Sequence, residues 1–495
     1  MNPPRQFHRF LVTFICLLAP AFVARAHVGS PNIFFQGPAG HYAVSVMVQP
    51  PTVVPGLAQI HVRVLSGQPE KVTVLPVRWD AGTRGAPPPD VAKLVPGETN
   101  LYTAQLWFMN SGSYSVFVDV TGPQGRGTAI VPVNSLALQR FDMPRWLSLL
   151  FLGLGLVILV LFISIVGAAT RESSLPVGVE PTPSRRRLSM VAMAATLLVA
   201  AGAMFIGNRW WNLVDGDFLH NRLYRPLAIT PSLQTDADGR QQLTLSIPTP
   251  TSRRADPTPL VPDHGQLMHL FLIRQPEGDA FAHLHPVHVQ SVSDRVFTTQ
   301  LPNLPAGDYE IYADITHESG LSETLTNSLH LAATTNNVDA GFSSPDDAID
   351  LNAPKPVAAT TIPGNFHLNP VLAANLRANQ ETTLRFDVTT DTGAPAPLEP
   401  YLGMYGHLLI QHADGTVFTH LHPLGTISMA AQRLFAEREH AGYLANQPLD
   451  LLCAPASPTL TFPYAFPKPG LYRIWLQTKL AGQIRTSAYR INVTE

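Results

Sequence analysis

The 495-residue chain is poor in charge and in cysteine. Charged residues make up only 14% of it, and its formal net charge is −2. It has no basic stripe and no acidic tail, so nucleic acid is not expected as a partner. Of its two cysteines, Cys16 lies in a segment that we expect to be removed. That leaves Cys453 alone, which excludes an internal disulfide in the mature chain.

The sequence also lacks the short motifs of common enzymes. It contains no Gly-x-Ser-x-Gly, no Walker loop, no His-Glu-x-x-His and no dinucleotide fingerprint after a strand. Two adjacent carboxylates, Asp346 and Asp347, lie in a segment without periodicity, where solvation accounts for them. We therefore predict that the protein is not an enzyme.

Proline and glycine, in contrast, are abundant, with 46 and 34 residues. They suit short strands joined by many turns, and few segments outside the apolar runs have helical periodicity. The length requires several domains. We predict a mainly β protein with three Ig/cupredoxin-like β-sandwich domains and a two-helix transmembrane hairpin.

Residues 1–26 have the pattern of a secretory signal peptide. Arg5 and Arg9 precede an apolar stretch, and Ala24-Arg25-Ala26 forms a small-x-small cleavage site. An uncleaved anchor is the alternative, but the apolar run is short. Cleavage would make His27 the first residue of an exported β-sandwich that spans residues 27–141.

Two uncharged runs, residues 146–167 and 188–207, are each long enough to cross a bilayer. The intervening residues 168–187 include three consecutive arginines, which is typical of a cytoplasmic loop. Neither run holds an ionisable group, which favours an anchor over a transport path. The sequence therefore predicts a bacterial inner-membrane protein whose N-terminal and C-terminal domains both lie on the periplasmic side.

Two further β-sandwiches are predicted after the membrane, at residues 227–333 and 365–495, joined by a linker at residues 334–364. They look like a diverged internal repeat. Each contains a proline-glycine turn followed by an aromatic, alternating strand, at residues 305–312 and 468–475. We expect these strands at the far edge of each sandwich.

The repeat is clearest in a histidine-containing β-hairpin. A histidine starts the first strand, and a His-x-His-Pro sequence ends the second. With a three-residue loop in the first copy and a two-residue loop in the second, both hairpins keep the same register. The two opposed histidines then have Cβ atoms roughly 4.5–5.5 Å apart, and the third lies on the same face. The two sets are His269, His283 and His285, and His407, His420 and His422.

Three imidazoles on one sheet face can bind a transition metal without reorganisation. Met404 lies three residues before His407, and a thioether ligand would favour Cu(I). We therefore predict copper, with zinc as the second choice. One His-x-His copy alone would indicate ordinary half-buried strand residues, but two copies with different turns and one register favour metal binding.

Other histidines could add ligands, although each alone is more typical of a surface residue. His27 would offer its α-amine and its imidazole together, yet an ordinary exposed terminus is the favoured interpretation. Further candidates for the first set are His288, His317 and His330, and for the second set His412 and His440.

Several segments resemble known families. Residues 27–35, followed by Pro55-Gly56-Leu57-Ala58, resemble the exported FixH-like or YtkA-like β-sandwich modules. Residues 400–407, 420–423 and 462–470 resemble uncharacterised bacterial envelope proteins that are often associated with metal handling. The layout of β domain, two helices and β domain is similar to that of the copper-bearing B subunit of particulate methane monooxygenase, an analogy of architecture alone.

Together these patterns predict a membrane-anchored periplasmic metal-binding protein for metal storage, delivery or sensing. Its expected partners are the inner membrane and an envelope protein or metal acceptor. One alternative is a non-metal envelope scaffold in which the histidines are structural. Another is a metal-dependent redox enzyme that uses His27.

Overall fold

The computed structural model describes residues 32–176, 178–248, 256–289, 294–333, 341–444 and 457–495. The predicted signal peptide, His27 and Cys453 lie outside these residues. The described chain is mainly β, with sheets arranged in three domains and two long apolar helices, as the sequence predicts.

The first domain is a sandwich of a five-stranded sheet, ordered β1-β2-β3-β7-β6, and a four-stranded sheet, ordered β5-β4-β8-β9. Alternate residues of β3, such as Ala58, Ile60 and Val62, are buried between the sheets, as expected for strands with one solvated face. The strands are β1 (Ile33–Ala39), β2 (Tyr42–Gln49), β3 (Gly56–Ser66), β4 (Lys71–Arg78), β5 (Asp90–Val91), β6 (Lys93–Leu94), β7 (Leu101–Phe108), β8 (Gly112–Gly122) and β9 (Gly125–Ser135).

Helices α1 (Arg145–Glu172) and α2 (Pro183–Asn221) are long and apolar enough to cross a membrane. They contain the two predicted spans and extend beyond them, so the connection between them is shorter than the predicted loop. They pack against each other where the Ser189 hydroxyl donates a hydrogen bond to the Gly167 carbonyl at 2.8 Å. A Cβ at Gly167 would meet the Met193 sulfur at 2.7 Å, so a larger residue here would require the Met193 side chain to move.

The second domain contains a four-stranded sheet, ordered β10-β11-β16-β15, and a six-stranded sheet, ordered β12-β17-β13-β14-β19, in which β18 also pairs with β17. The strands are β10 (Thr230–Thr235), β11 (Gln241–Pro248), β12 (Leu260–Val261), β13 (His269–Gln275), β14 (Phe281–Leu284), β15 (Val287–Val289), β16 (Asp294–Gln300), β17 (Gly307–His317), β18 (Ser322–Leu331) and β19 (Ala348–Asp350).

The third domain contains sheets ordered β20-β28-β27-β24-β25 and β21-β22-β23-β26, together with helix α3 (Met429–Glu439). The strands are β20 (Lys355–Pro356), β21 (Thr360–Ile362), β22 (Phe366–Val371), β23 (Glu381–Thr390), β24 (His407–His412), β25 (Phe418–Leu421), β26 (Thr459–Ala465), β27 (Gly470–Leu480) and β28 (Gln483–Val493).

The predicted linker is more ordered than the sequence suggests. Its described part contains three short strands, β19, β20 and β21, which pair with β14, β28 and β22 respectively. Strands of two or three residues are too short to show a hydrophobic periodicity, and these three only extend sheets formed by longer strands elsewhere in the chain.

The predicted registers of both histidine hairpins are confirmed. Leu270 pairs with Leu284, which sets His269 opposite His285, and Leu408 pairs with Leu421, which sets His407 opposite His422. The loops, however, are longer than predicted.

The last inter-strand hydrogen bonds run from Arg274 to Ala280 and from His412 to Val417, so each loop has two more residues than expected. In the second hairpin the Asp414 side chain shapes the wider turn, because it accepts hydrogen bonds from the Thr416 amide and hydroxyl.

The aromatic strands after the proline-glycine turns are not at the edge, contrary to the prediction. Strand β17 lies directly beside β13, and β27 lies directly beside β24. Both histidine strands therefore have partners on both sides. A strand apolar on both faces belongs in the middle of a sheet that is covered on both faces, and β13 and β24 are buried along most of their length.

The second face of these strands is covered by the other domain. The histidine-bearing sheets pack against each other through an apolar cluster in which Phe281 stacks on Trp475 at 5.1 Å and Tyr312 stacks on Phe418 at 4.0 Å. Phe281 and Phe418 hold equivalent places in their hairpins, and so do Tyr312 and Trp475 in β17 and β27. The interface is thus pseudo-twofold symmetric.

The first domain contacts both of the others. Phe35 of β1 forms a bridge with Gly425, and the Gln36 amide donates to the Leu424 carbonyl at 2.9 Å. The Asn134 side chain donates to the Ser322 carbonyl at 2.6 Å. These contacts place the domains before and after the helix pair side by side.

Candidate metal centre

Each histidine hairpin brings its three imidazoles together. We call His269, His283 and His285 the first triad and His407, His420 and His422 the second triad. Within each triad, one ring nitrogen from every histidine lies within 4.8 Å of the others. Ring centroids are 5.5, 5.1 and 4.6 Å apart in the first triad and 5.3, 5.1 and 4.6 Å apart in the second.

The triads face each other across the domain interface and form one cluster. The His269 and His420 rings are 5.6 Å apart, and the His283 and His420 rings are 5.8 Å apart. Sequence analysis predicted two separate sites. The two triads lie close together because the histidine-bearing sheets of the second and third domains pack against each other.

The first histidine of each hairpin is anchored by a carbonyl in a preceding tight turn. His269 Nε2 lies 3.1 Å from the Asp263 carbonyl oxygen, and His407 Nε2 lies 2.9 Å from the Tyr401 carbonyl oxygen. A carbonyl only accepts, so Nε2 must carry the proton in both rings. Nδ1 then presents a lone pair to the rest of the triad.

The other domain anchors the next histidine of each triad. His283 Nδ1 donates to Gln477 Oε1 of the third domain at 2.8 Å, and His420 Nδ1 lies 3.4 Å from Asp314 Oδ2 of the second domain. Gln477 and Asp314 pair with the first histidines of their own domains, His407 and His269, so they too are equivalent by the pseudo-twofold symmetry.

Asp347 anchors the last histidine of the first triad. Its Oδ1 accepts from both the backbone amide of His285, at 2.8 Å, and Nδ1 of the same residue, at 3.0 Å. Both side chains are fully buried. The sequence-based assignment of Asp347 to a solvated linker is therefore wrong, because the segment folds back as β19 beside the histidine hairpin.

These outer hydrogen bonds direct lone pairs toward each other. His269 Nδ1 lies 3.3 Å from His283 Nε2, and His407 Nδ1 lies 3.0 Å from His420 Nε2. In the first triad the Asp263 carbonyl and the Gln477 side chain hold the protons on the outer nitrogens, so this contact joins two acceptors with no hydrogen between them. In the second triad the Tyr401 carbonyl fixes the proton of His407 in the same way, and His420 Nδ1 has the 3.4 Å contact with Asp314. A cation ligated by both nitrogens removes that repulsion, and an outer carbonyl, amide or carboxylate partner is the usual second shell of a metal-bound histidine.

The environment also keeps the rings neutral. Burial, and then the neighbouring histidines, lower the pKa of His269, His283, His420 and His422 well below the ordinary value, and the pKa of His407 falls to about 3. Neutral imidazole is the form that binds metal. Burial raises the pKa of the neighbouring Asp314 to about 7.

The other histidines proposed from sequence lie outside the cluster. His317 is buried against Glu323 at 2.9 Å, whereas His330 forms an exposed pair with Asp308 at 2.7 Å. His412 contacts Asp414, and His288 and His440 are exposed. Met404 is buried in the turn before β24, where its backbone amide and carbonyl both hydrogen-bond to the backbone of Tyr401. Its role as a ligand stays a prediction.

Sequence reasoning also missed His264, whose ring lies 4.6 Å from that of His422. One signal could have found it. Asp263 and Tyr401 both precede the first histidine of their hairpin by six residues, so aligning the two repeats at these positions would have shown His264 beside the site.

A cavity of about 750 Å³ reaches the cluster from one side. Its floor includes His264, His269, His420 and His422, and its rim includes the exposed residues Thr52, Arg225 and Pro226. Leu136 and Leu138, which precede α1, and Tyr224, which follows α2, also line it. The cavity therefore opens where the chain enters and leaves the two apolar helices.

A family model described as a domain of unknown function (DUF8832) matches residues 227–331 and 366–495, the second and third domains. No curated protein matches the chain. Among solved structures, latent PorU from Porphyromonas gingivalis is similar over 94% of this chain and 34% of its own length, at 9% identity and a TM-score of 0.16. This chain therefore spans about a third of PorU.

A protein from Corynebacterium diphtheriae described as membrane anchored is similar over 94% of this chain and 96% of its own length, at 10% identity and a TM-score of 0.16. Part of a 1.5-MDa bacterial ice-binding adhesin matches over 89% and 91%, at 7% identity and a TM-score of 0.14. The chain itself is a β protein with two apolar helices long enough to cross a membrane and two facing histidine triads at a domain interface.

Proposed function

We propose that this chain is a membrane-anchored metal-binding protein of the bacterial envelope that holds two ions, one in each histidine triad. One observation carries the proposal. The outer hydrogen bonds of His269 and His283 leave their inward nitrogens 3.3 Å apart with lone pairs toward each other, and the equivalent nitrogens of His407 and His420 lie 3.0 Å apart. A cation is the natural occupant of such sites.

Copper is the proposed ion. All six triad ligands are imidazoles, which suit copper, zinc, nickel and iron, and among divalent ions copper(II) has the highest intrinsic affinity for nitrogen sites. Zinc is the second choice because it accepts the same ligands without redox chemistry. The proposed roles are storage, delivery to an acceptor protein, or sensing, without enzymatic activity.

The proposed location is the inner membrane with all three β domains on the periplasmic side. Two apolar helices can anchor the chain. The direct contact of the first domain with the third, through Phe35 and Gly425, supports a common side of the membrane for both soluble parts. The export pattern of residues 1–26 favours the periplasmic side.

The test is metal analysis of the full chain, expressed in the envelope, purified in detergent and loaded with copper(II) or zinc(II) before excess ion is removed. We expect two ions per chain, and one after either His283→Ala or His420→Ala. His330→Ala, which removes an exposed histidine paired with Asp308, is the matched control and should leave two. An intact wild-type protein that retains no ion would overturn the proposal and favour the scaffold alternative.

A further inference from the structure

The two triads differ at one position in the turns that precede them. The turns Asp263–Gln266 and Tyr401–Met404 are equivalent: each closes with a backbone bridge and anchors the first histidine of its hairpin. The second residue of each has a left-handed backbone, with φ of +52° at His264 and +50° at Leu402. The second domain thus has an imidazole where the third has an aliphatic side chain.

The His264 side chain lies against the second triad, in the other domain. Its ring centroid is 4.6 Å from that of His422 and 5.6 Å from that of His407, similar to the spacings within the triads. The His269 ring of the first triad is farther away, at 6.1 Å. A Cβ on Gly403, in the third domain's turn, would lie 3.7 Å from His264 Nδ1, so the two turns meet here.

Buried nitrogens without partners point to a ligand at this position. His264 is 5% exposed, and its Nε2 has no hydrogen-bond partner among the described residues, with Asp263 Oδ1 3.9 Å away. The His422 ring nitrogens have the Ile427 backbone as a polar neighbour but make no hydrogen bond of full geometry there. In the first triad, Asp347 satisfies Nδ1 of the equivalent histidine, His285, and leaves its Nε2 unpaired. A buried polar atom left unpaired costs free energy, so His264 Nε2 and one ring nitrogen of His422 call for a partner that both can share.

We infer that His264 is the fourth ligand of the second triad, donated by the second domain. The inference rests on the proposed function. It gives the two metal sites different numbers of imidazole ligands, four in the second and three in the first. Four imidazoles complete the preferred coordination of zinc or copper(I) and hold the ion, whereas three leave a position open for water or an incoming ligand. The second site therefore retains its ion, and the first exchanges it.

The test variant is His264→Asn, because asparagine accepts a left-handed backbone and keeps the turn. The matched control is His330→Asn, at an exposed histidine. Each full-length protein is titrated with zinc(II) against a chromophoric chelator, and folding is checked by circular dichroism. Wild type should show one tighter and one weaker ion.

In His264→Asn the tighter ion alone should weaken by at least about tenfold, since losing even an outer-shell partner typically costs 10–100-fold. His330→Asn should match wild type. Unchanged affinities in His264→Asn, or equal weakening at both sites, would overturn the inference while leaving the proposed function intact. A wild type that binds no ion would overturn both.

The cavity supports a second inference, which also rests on the proposed function. Besides Asp314, whose pKa burial raises, its wall contains two carboxyl groups, Asp263 and Glu323, against one guanidinium, Arg225, on the exposed rim. A wall richer in carboxyl groups concentrates cations over anions. We propose that this cavity is the route by which the metal cation reaches the histidine cluster, from the side that faces the helices.

Narrowing the rim tests the route. Thr52→Trp places a bulky side chain at the exposed mouth, and Gln483→Trp, at the exposed tip of the β27–β28 hairpin, is the matched control. We expect stopped-flow zinc loading of Thr52→Trp to slow several-fold with two ions still bound at equilibrium, and Gln483→Trp to load at the wild-type rate. An unchanged loading rate in a folded Thr52→Trp variant would overturn the proposed route.

Discussion

Replacing Asp347 by alanine should selectively weaken the first metal site. One carboxylate oxygen, Oδ1, accepts from both the amide and Nδ1 of His285, and Oδ2 accepts from the Ser344 amide at 3.0 Å. Without the carboxylate, nothing holds the proton on Nδ1, so Nε2 is no longer held ready as the ligand atom. Loss of such an outer partner typically lowers metal affinity about 10–100-fold, which is about 1.4–2.7 kcal/mol.

Asp347→Asn should have a smaller effect, because its amide oxygen can still accept the same two hydrogen bonds although the charge is lost. Metal-free Asp347→Ala should also unfold more easily by roughly 1–3 kcal/mol for each buried donor left unpaired. Asp308→Ala is the control, since Asp308 also pairs with a histidine, His330, but both side chains there are more than 70% exposed.

The assay is a competition titration of the full-length chain with zinc(II) and a chromophoric chelator, alongside a denaturant melt. The expected affinity order for one of the two ions is wild type, then Asp347→Asn, then Asp347→Ala, with Asp308→Ala equal to wild type. The reasoning fails if folded Asp347→Ala binds both ions as tightly as wild type does.

Three further outcomes are expected. Metal-free protein should lose stability as pH falls from about 6.5 to about 3. Burial lowers the folded-state pKa of His407 to about 3, whereas histidines of the unfolded chain take up protons below about 6.5, so each such histidine costs up to about 1.4 kcal/mol per pH unit. Denaturant melts at pH 7, 5.5 and 4.5 test this, and equal stability at all three would contradict it. Gln477→Leu should weaken the first site about tenfold, although Gln477 belongs to the third domain, because it removes the acceptor for His283 Nδ1; the same titration checks it, with exposed Gln483→Leu as control. Trp475→Ala should cost about 3–5 kcal/mol in a denaturant melt, since the indole is fully buried between the domains, and a cost below about 1 kcal/mol would rule out this packing.

The hairpins themselves could be predicted from sequence because strand periodicity is local. Alternation and the turn glycines placed His269 opposite His285 and His407 opposite His422, and the longer loops changed neither register. Register depends on which face is apolar, so a loop can gain a residue on each side without moving the pairing.

The joining of the two triads could not be predicted in the same way, because it depends on how two separate sheets pack. One available signal was the run from His269 to Ile273, which is apolar on both faces and therefore needs cover on both. The contribution of Asp347 was hidden for another reason: β19 has three residues, too few to show a period, and it acts only through its pairing with β14.

Each of the two histidine-bearing domains supplies a side chain that orients a histidine of the other, which bears on how this metal centre could evolve. His283 depends on Gln477 and His420 depends on Asp314, so neither domain alone holds all three histidines of its triad in place. Two identical copies related by a true twofold axis would satisfy the same arrangement, but both halves would then have to change together. Joining the copies in one polypeptide removes that restriction, which is how one turn can present His264 while its counterpart presents Leu402.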